Sequence, residues 1–211
     1  DTQNGGVWEV HLFDMDGVDG DDLVALVGSP SFGAVVILLN QGIADGEWLG
    51  FSNDVISIPV EVEPRGFDAA ELDATPGLDL VIAHPLNDQL TVMFNPLGAM
   101  STEIIPTGDE PVDVGIGEFD GLPGLDFVVI NLNNGAAGEG DGTNPGPIGL
   151  FFNQGDGSWQ TAGFELPGGQ DPAKVDPGDL DNDKDLETDI GVLTAIDGHL
   201  YARVFEWDGD F

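Results

Sequence analysis

An acidic loop that runs straight into a short apolar strand occurs four times in this chain, and few folds can use such a unit four times. Asp14-Met-Asp16-Gly-Val18-Asp-Gly-Asp-Asp22 leads into Leu23-Val-Ala-Leu-Val27. Glu71-Leu-Asp73-Ala-Thr75-Pro-Gly-Leu-Asp79 leads into Leu80-Val-Ile-Ala83, and Glu118-Phe-Asp120-Gly-Leu122-Pro-Gly-Leu-Asp126 into Phe127-Val-Val-Ile130. All three place acids at loop positions 1, 3 and 9. The fourth copy, Asp179-Leu-Asp181-Asn-Asp183-Lys-Asp185-Leu-Glu187-Thr-Asp189, is the richest in oxygen donors and leads into Ile190-Gly-Val-Leu193. Its closing acid is either Glu187 or, after a two-residue insertion, Asp189.

Alternating acids in a tightly turned loop converge on one point, which suits a hard, oxygen-seeking cation. Ca²⁺ accepts roughly six to eight oxygens at about 2.3–2.6 Å in irregular geometry, whereas Mg²⁺ demands a stricter octahedron. The loop begins like an EF-hand, but an EF-hand closes with Glu at position 12 and lies between helices. Here each loop precedes an apolar, β-branched run of strand character. Asp and Gly make turns without any metal, so one such loop alone carries little. Four in one register carry more. Val18 and Leu122 offer only a carbonyl at position 5 and Thr75 a hydroxyl, which ranks the Asp179 loop first for occupancy and the two Glu-led loops last.

The remainder of the unit repeats as well. Second apolar strands follow at Ala34–Leu39, Leu90–Phe94, Ile148–Phe152 and Leu200–Phe205, three of them closed by Asn40, Asn95 and Asn153, which lie 55 and 58 residues apart. Asp45-Gly-Glu-Trp48, Asp156-Gly-Ser-Trp159 and Asp208-Gly-Asp-Phe211 then supply a turn and an aromatic, a signal that the second unit lacks. A period near this length holding four short strands predicts an all-β chain of propeller blades, each needing neighbours to bury both faces. The units fall at approximately 7–60, 61–110, 111–170 and 171–211, within one domain over 1–211.

With the four loops, the literal Phe32-Gly33-Ala34 before a strand and the Asn-Gln-Gly and Asp-Gly-x-Trp endings, the chain resembles the FG-GAP (VCBS-like) repeat, the integrin-α type of calcium-binding propeller. The resemblance covers nearly the whole chain. It implies about four blades of four antiparallel strands, with Ca²⁺ held between the first and second strand of a blade, up to about four ions in all. The side-chain ligands it implies are Asp14, Asp16 and Asp22; Glu71, Asp73, Thr75 and Asp79; Glu118, Asp120 and Asp126; and Asp179, Asp181 and Asp183 with Glu187 or Asp189, Asp185 adding a further donor.

Composition narrows the setting. Four Lys and Arg against 40 Asp and Glu leave a formal charge of −36, which repels itself in a compact state unless cations or salt screen it. Four calcium ions would remove only eight of those charges, so a salt-rich, secreted or cell-surface setting is expected. Nucleic acid is excluded as a partner because clusters of Lys and Arg are missing, and no run is apolar and long enough to predict membrane insertion. The chain opens on Asp1, as a processed or excised product does, and stops where a blade's outermost strand is expected to begin. Ring closure by the N-terminal residues, by further blades or by a second copy of the chain all stay open.

Loops joining strands 1 to 2 and 3 to 4 of an up-and-down blade share one end, so the acidic loops and the Asp-Gly-x-Trp turns are expected on one face. The long Asn131–Pro147 connection is expected on the other, as a candidate ligand contact. His11, His84 and His199 lie in or beside strands, with no nucleophile or phosphate-binding motif around them, and no catalytic role is assigned. Trp48 and Trp159, at matching places, are expected to pack between blades. The expected function is a calcium-stabilised module recognising a protein or glycan, for adhesion or assembly. The alternatives are part of a polysaccharide-active, lyase-like enzyme, with Tyr201 and Arg203 the only hints of a cleft, and a lectin.

Overall fold

The structure is a computed structural model and describes residues 5–122, 124–132, 148–154, 158–164, 171–178, 189–196 and 199–205. It is a four-bladed β-propeller, with four antiparallel sheets arranged in a ring. Blade 1 comprises β1 (Gly6–Phe13), β2 (Asp22–Ser29), β3 (Phe32–Leu38) and β6 (Ile56–Val60), with a small hairpin of β4 (Ile43–Ala44) and β5 (Glu47–Trp48) between the last two. Blade 2 is β7 (Phe67–Ala70), β8 (Asp79–His84), β9 (Gln89–Phe94) and β10 (Ser101–Pro106). Blade 3 is β11 (Pro111–Gly117), β12 (Asp126–Asn131), β13 (Ile148–Asn153) and β14 (Trp159–Phe164). Blade 4 shows three strands among the described residues: β15 (Asp171–Gly178), β16 (Asp189–Ile196) and β17 (His199–Phe205).

The second strands are uniformly apolar because both of their faces are buried. Side chains alternate across a strand, and in β8 Leu80 and Ile82 enter the core shared with Val24, Leu26, Val35 and Ile37 of blade 1. Val81 and Ala83 face the other way, into a core with Phe127, Val129 and Phe151 of blade 3. In β12 the alternation repeats: Val128 and Ile130 pack with Val175, Ile190 and Val192 of blade 4. Each enclosed Leu, Ile, Val or Phe contributes roughly 1.5–3 kcal/mol, so three of the seams are held by hydrophobic burial. The seam between blades 4 and 1 differs, for Val10 and Leu12 on β1 remain about half exposed.

Close approach within blade 1 explains the glycine of Phe32-Gly33-Ala34. A Cβ on Gly33 would stand 1.9 Å from the Glu61 carbonyl oxygen, so no larger residue fits.

First strands line the axis. Glu9, Gly66, Asp113 and Lys174 each stand five residues before their loop's first acid, and Glu9, Asp113 and Lys174 form one tier of the central lining. Glu9 Oε2 accepts a hydrogen bond from Phe67 N (3.0 Å), Asp68 Oδ2 from Ile116 N (2.9 Å) and Asp113 Oδ2 from Val175 N (2.7 Å). Each acid thus ties its blade to the backbone of the next. Lys174 completes the circuit by donating to Asp113 Oδ1 at 2.9 Å and to Glu9 of blade 1. Burial pushes the Asp113 carboxyl up to about 6 although Lys174 opposes it. Burial also pulls on the Lys174 ammonium, but Asp113 and Glu9 outweigh it and leave its pKa raised.

The two tryptophans behave differently. Trp159 stacks on Phe127 with ring centroids 4.4 Å apart and donates to Glu103 of blade 2, which is inter-blade packing. Trp48 does not pack between blades: it is 58% exposed, meets Phe51 edge-on and donates to Asn40 Oδ1 at 2.9 Å. The β4–β5 hairpin holds it out from the sheet, so the shared sequence signal marks the turn and not a common packing role. The Asn131–Pro147 connection from residue 133, Asp156-Gly157 and Asp208–Phe211 lie outside the described residues.

Candidate metal centre

Each acidic loop joins the first and second strands of its blade, and the strand pairing fixes where it starts and ends. Phe13 pairs with Asp22, Ala70 with Asp79, Gly117 with Asp126 and Gly178 with Asp189. The pairing makes Asp189 the equivalent of the other closing acids, so the fourth loop is two residues longer than the rest. Asp179, Asp181, Asp183, Asp185 and Glu187 lie outside the described residues.

Asp22, Asp79 and Asp126 share one device that the sequence reading missed. Asp22 Oδ2 accepts from Met15 N at 2.9 Å while Oδ1 accepts from Asn40 N at 2.7 Å. Asp79 does the same with Leu72 N and Asn95 N, both at 2.9 Å, and Asp126 with Phe119 N at 2.9 Å and Asn153 N at 2.8 Å. A buried carboxylate left without such donors would cost several kcal/mol. The Asn that closes the third strand in blades 1, 2 and 3 therefore marks the end of a clasp between two loops. Its side chain can serve as well: Asn40 Oδ1 accepts from Gly42 N and Trp48 Nε1.

Position 3 also has a fixed local role. Asp16, Asp73 and Asp120 each accept the backbone N–H two residues on, from Val18, Thr75 and Leu122, a turn that small acids favour. This explains why position 5 tolerates Val and Leu, since only its backbone is used. Gly20, Gly77 and Gly124 at position 7 all have positive φ, the left-handed region that glycine enters without strain.

With those bonds made, oxygens still converge in two loops. Carboxylate oxygens of Asp14, Asp16 and Asp22 lie within 4.8 Å of one another, and so do those of Glu118, Asp120 and Asp126. Opposite ligands on one Ca²⁺ stand about 4.6–5.2 Å apart, twice the usual Ca–O distance, so both trios fit inside one coordination sphere. Asp14 and Asp16 are exposed and Asp22 is buried. Burial pushes Asp126 up to about 6 despite its two backbone donors, with Asp120 and Glu118 adding repulsion; burial raises Asp22 and Glu118 too. Three acids crowded together in each trio repel one another and favour either protons or a cation.

The second loop is not gathered in this way. Glu71 lines, with Asp14 and Asp16, an open groove of about 630 Å³ between the first two blades, while Thr75 Oγ1 donates to Asp73 Oδ2 at 3.4 Å. The Glu-led third loop is thus as compact as the Asp-led first.

The fold and the loops define a four-bladed β-propeller with acidic loops at one end of its blades. No protein family and no curated protein matches the chain. No helix among the described residues is long and apolar enough to cross a membrane.

Proposed function

We propose that this chain is a calcium-stabilised recognition module of the FG-GAP or VCBS-like kind, secreted or displayed on a cell surface, that binds a protein or glycan partner. The observation that carries the reading is the placement of two trios of carboxylates, at the same point of two different blades, each tight enough to share one cation. Asp14, Asp16, Glu118 and Asp120 supply oxygens, while Asp22 and Asp126 hold the loop closed and lend their remaining lone pairs. Asp73, Asp79 and Thr75, with Glu71, give the second loop a weaker set, and the Asp179–Asp189 loop is the fourth candidate. Bound Ca²⁺ supplies positive charge where the chain concentrates its own repulsion. The acids at the loop ends then set the spacing between strands, which keeps the opposite face in register for a partner.

Asp120→Ala tests this. It is expected to lower the melting temperature by several degrees in calcium and to leave it nearly unchanged in chelator, because Asp120 bonds only within its own turn. Equal losses in both conditions would remove the metal from the account of that loop.

A further inference from the structure

We propose that the mouth of the ring opposite the acidic loops binds a small carboxylate-bearing saccharide, gripped by Arg65 against Trp8. The first strands begin at this end, and the β6–β7 connection and the β8–β9 turn rise beside them. Together they border an open cavity of about 630 Å³, lined by Trp8, Arg65, Pro85, Leu86, Pro172 and Lys174. That volume is the size of a small-molecule site.

Charge makes the cavity unusual. The chain has only four Lys and Arg among 211 residues, and two of them line this one space. Lys174 is committed to Glu9 and Asp113. Arg65 is not: its guanidinium carbon lies 3.8 Å above the Trp8 ring, and no carboxylate pairs with it among the described residues. In a chain with 40 acids, a guanidinium resting on an indole and facing a cavity is a ready fork for a carboxylate supplied from outside. Glu63 and Glu110 also border the cavity and repel any anion that brings charge alone. An occupant must therefore add contact with the apolar wall of Trp8, Pro85, Leu86 and Pro172, which the C–H face of a sugar ring provides. An extended peptide suits the site less, because the lining comes from strand beginnings and connections and offers no strand edge to pair with.

The inference rests on the recognition reading but not on the metal, since the cavity lies at the other end of the blades. The test titrates the whole chain, in calcium and separately in chelator below its melting temperature, with digalacturonate, with the neutral digalactose, and with a short acidic peptide. Tryptophan fluorescence and calorimetry read the binding. Digalacturonate should bind saturably in both conditions. Arg65→Met should raise its Kd at least tenfold and Arg65→Lys less, because only the fork is lost. Leu86→Glu changes a residue that is 60% exposed, so the fold survives, and it should weaken binding about as strongly by placing a carboxylate at the cavity. Equal binding of the neutral sugar, preference for the peptide, indifference to both substitutions, or no saturable binding would each overturn the proposal. A chain that binds digalacturonate yet gains no stability from calcium would overturn the metal reading and leave this one standing.

Discussion

Lys174 Nζ of blade 4 lies 2.9 Å from Asp113 Oδ1 of blade 3, and the same ammonium contacts Glu9 of blade 1. One cation therefore holds three blades at the axis, beside the seam that hydrophobic packing covers least. Lys174→Met would leave two largely buried carboxylates without their counter-charge, and a loss of roughly 2–4 kcal/mol is expected in urea unfolding. Adding Asp113→Asn should recover part of it. Losses that simply add would show that the pair does not act as a unit.

Asp126 and Asp120 stand in the same trio but should fail differently. Asp126→Ala strands Phe119 N and Asn153 N, so roughly 1–3 kcal/mol should disappear with or without calcium. Asp120→Ala should cost stability chiefly when calcium is present. Parallel melts of the two variants check the contrast.

Gly33→Ala should destabilise blade 1 by roughly 3 kcal/mol or prevent soluble expression, since its Cβ would stand 1.9 Å from a backbone oxygen that cannot swing aside. Gly6→Ala, with open space around the new Cβ, is the control and should change stability by less than about 0.5 kcal/mol. Chemical denaturation of both separates crowding from the general effect of replacing glycine.

His84 sets an acid limit. It is fully buried with neither ring nitrogen hydrogen-bonded, and burial lowers its pKa from 6.5 to about 4. The unfolded chain takes up the proton first, so the histidine's contribution is complete above 6.5 and is lost as pH falls from there toward 4. Between pH 7 and 4.5 the wild type should lose roughly 2–3 kcal/mol more than His84→Leu. Asp113 has the opposite sign: its carboxyl is raised to about 6, so its contribution is present below its ordinary value near 3.8 and is lost as pH rises through 6. Comparing His84→Leu with wild type at each pH removes that opposing slope, and coincident profiles would contradict the assignment.

The blades were legible in the sequence because both signals that specify them are local. The apolar runs at Leu80–Ala83 and Phe127–Ile130 state that both strand faces are covered, and the acidic loops mark where each second strand begins. What stayed hidden depends on distant partners. Nothing near Asp22 in the chain says that Asn40 N will donate to one of its oxygens, although the recurrence of Asn after three of the four third strands was the available hint. The axial tier of Glu9, Asp113 and Lys174 was invisible because its members come from three blades and match no motif. Trp48 misled for the converse reason: the Asp-Gly-x-Trp pattern is local, but the hairpin that carries the aromatic out of the sheet is particular to blade 1.

The most direct test of the central claim is a thermal melt of the intact chain with calcium titrated against chelator, paired with native mass spectrometry to count bound ions. At least two ions, for the loops at Asp14 and Glu118, should bind together with a calcium-dependent rise in melting temperature. An unchanged melting temperature with no bound metal would mean that the gathered carboxylates close turns and nothing more.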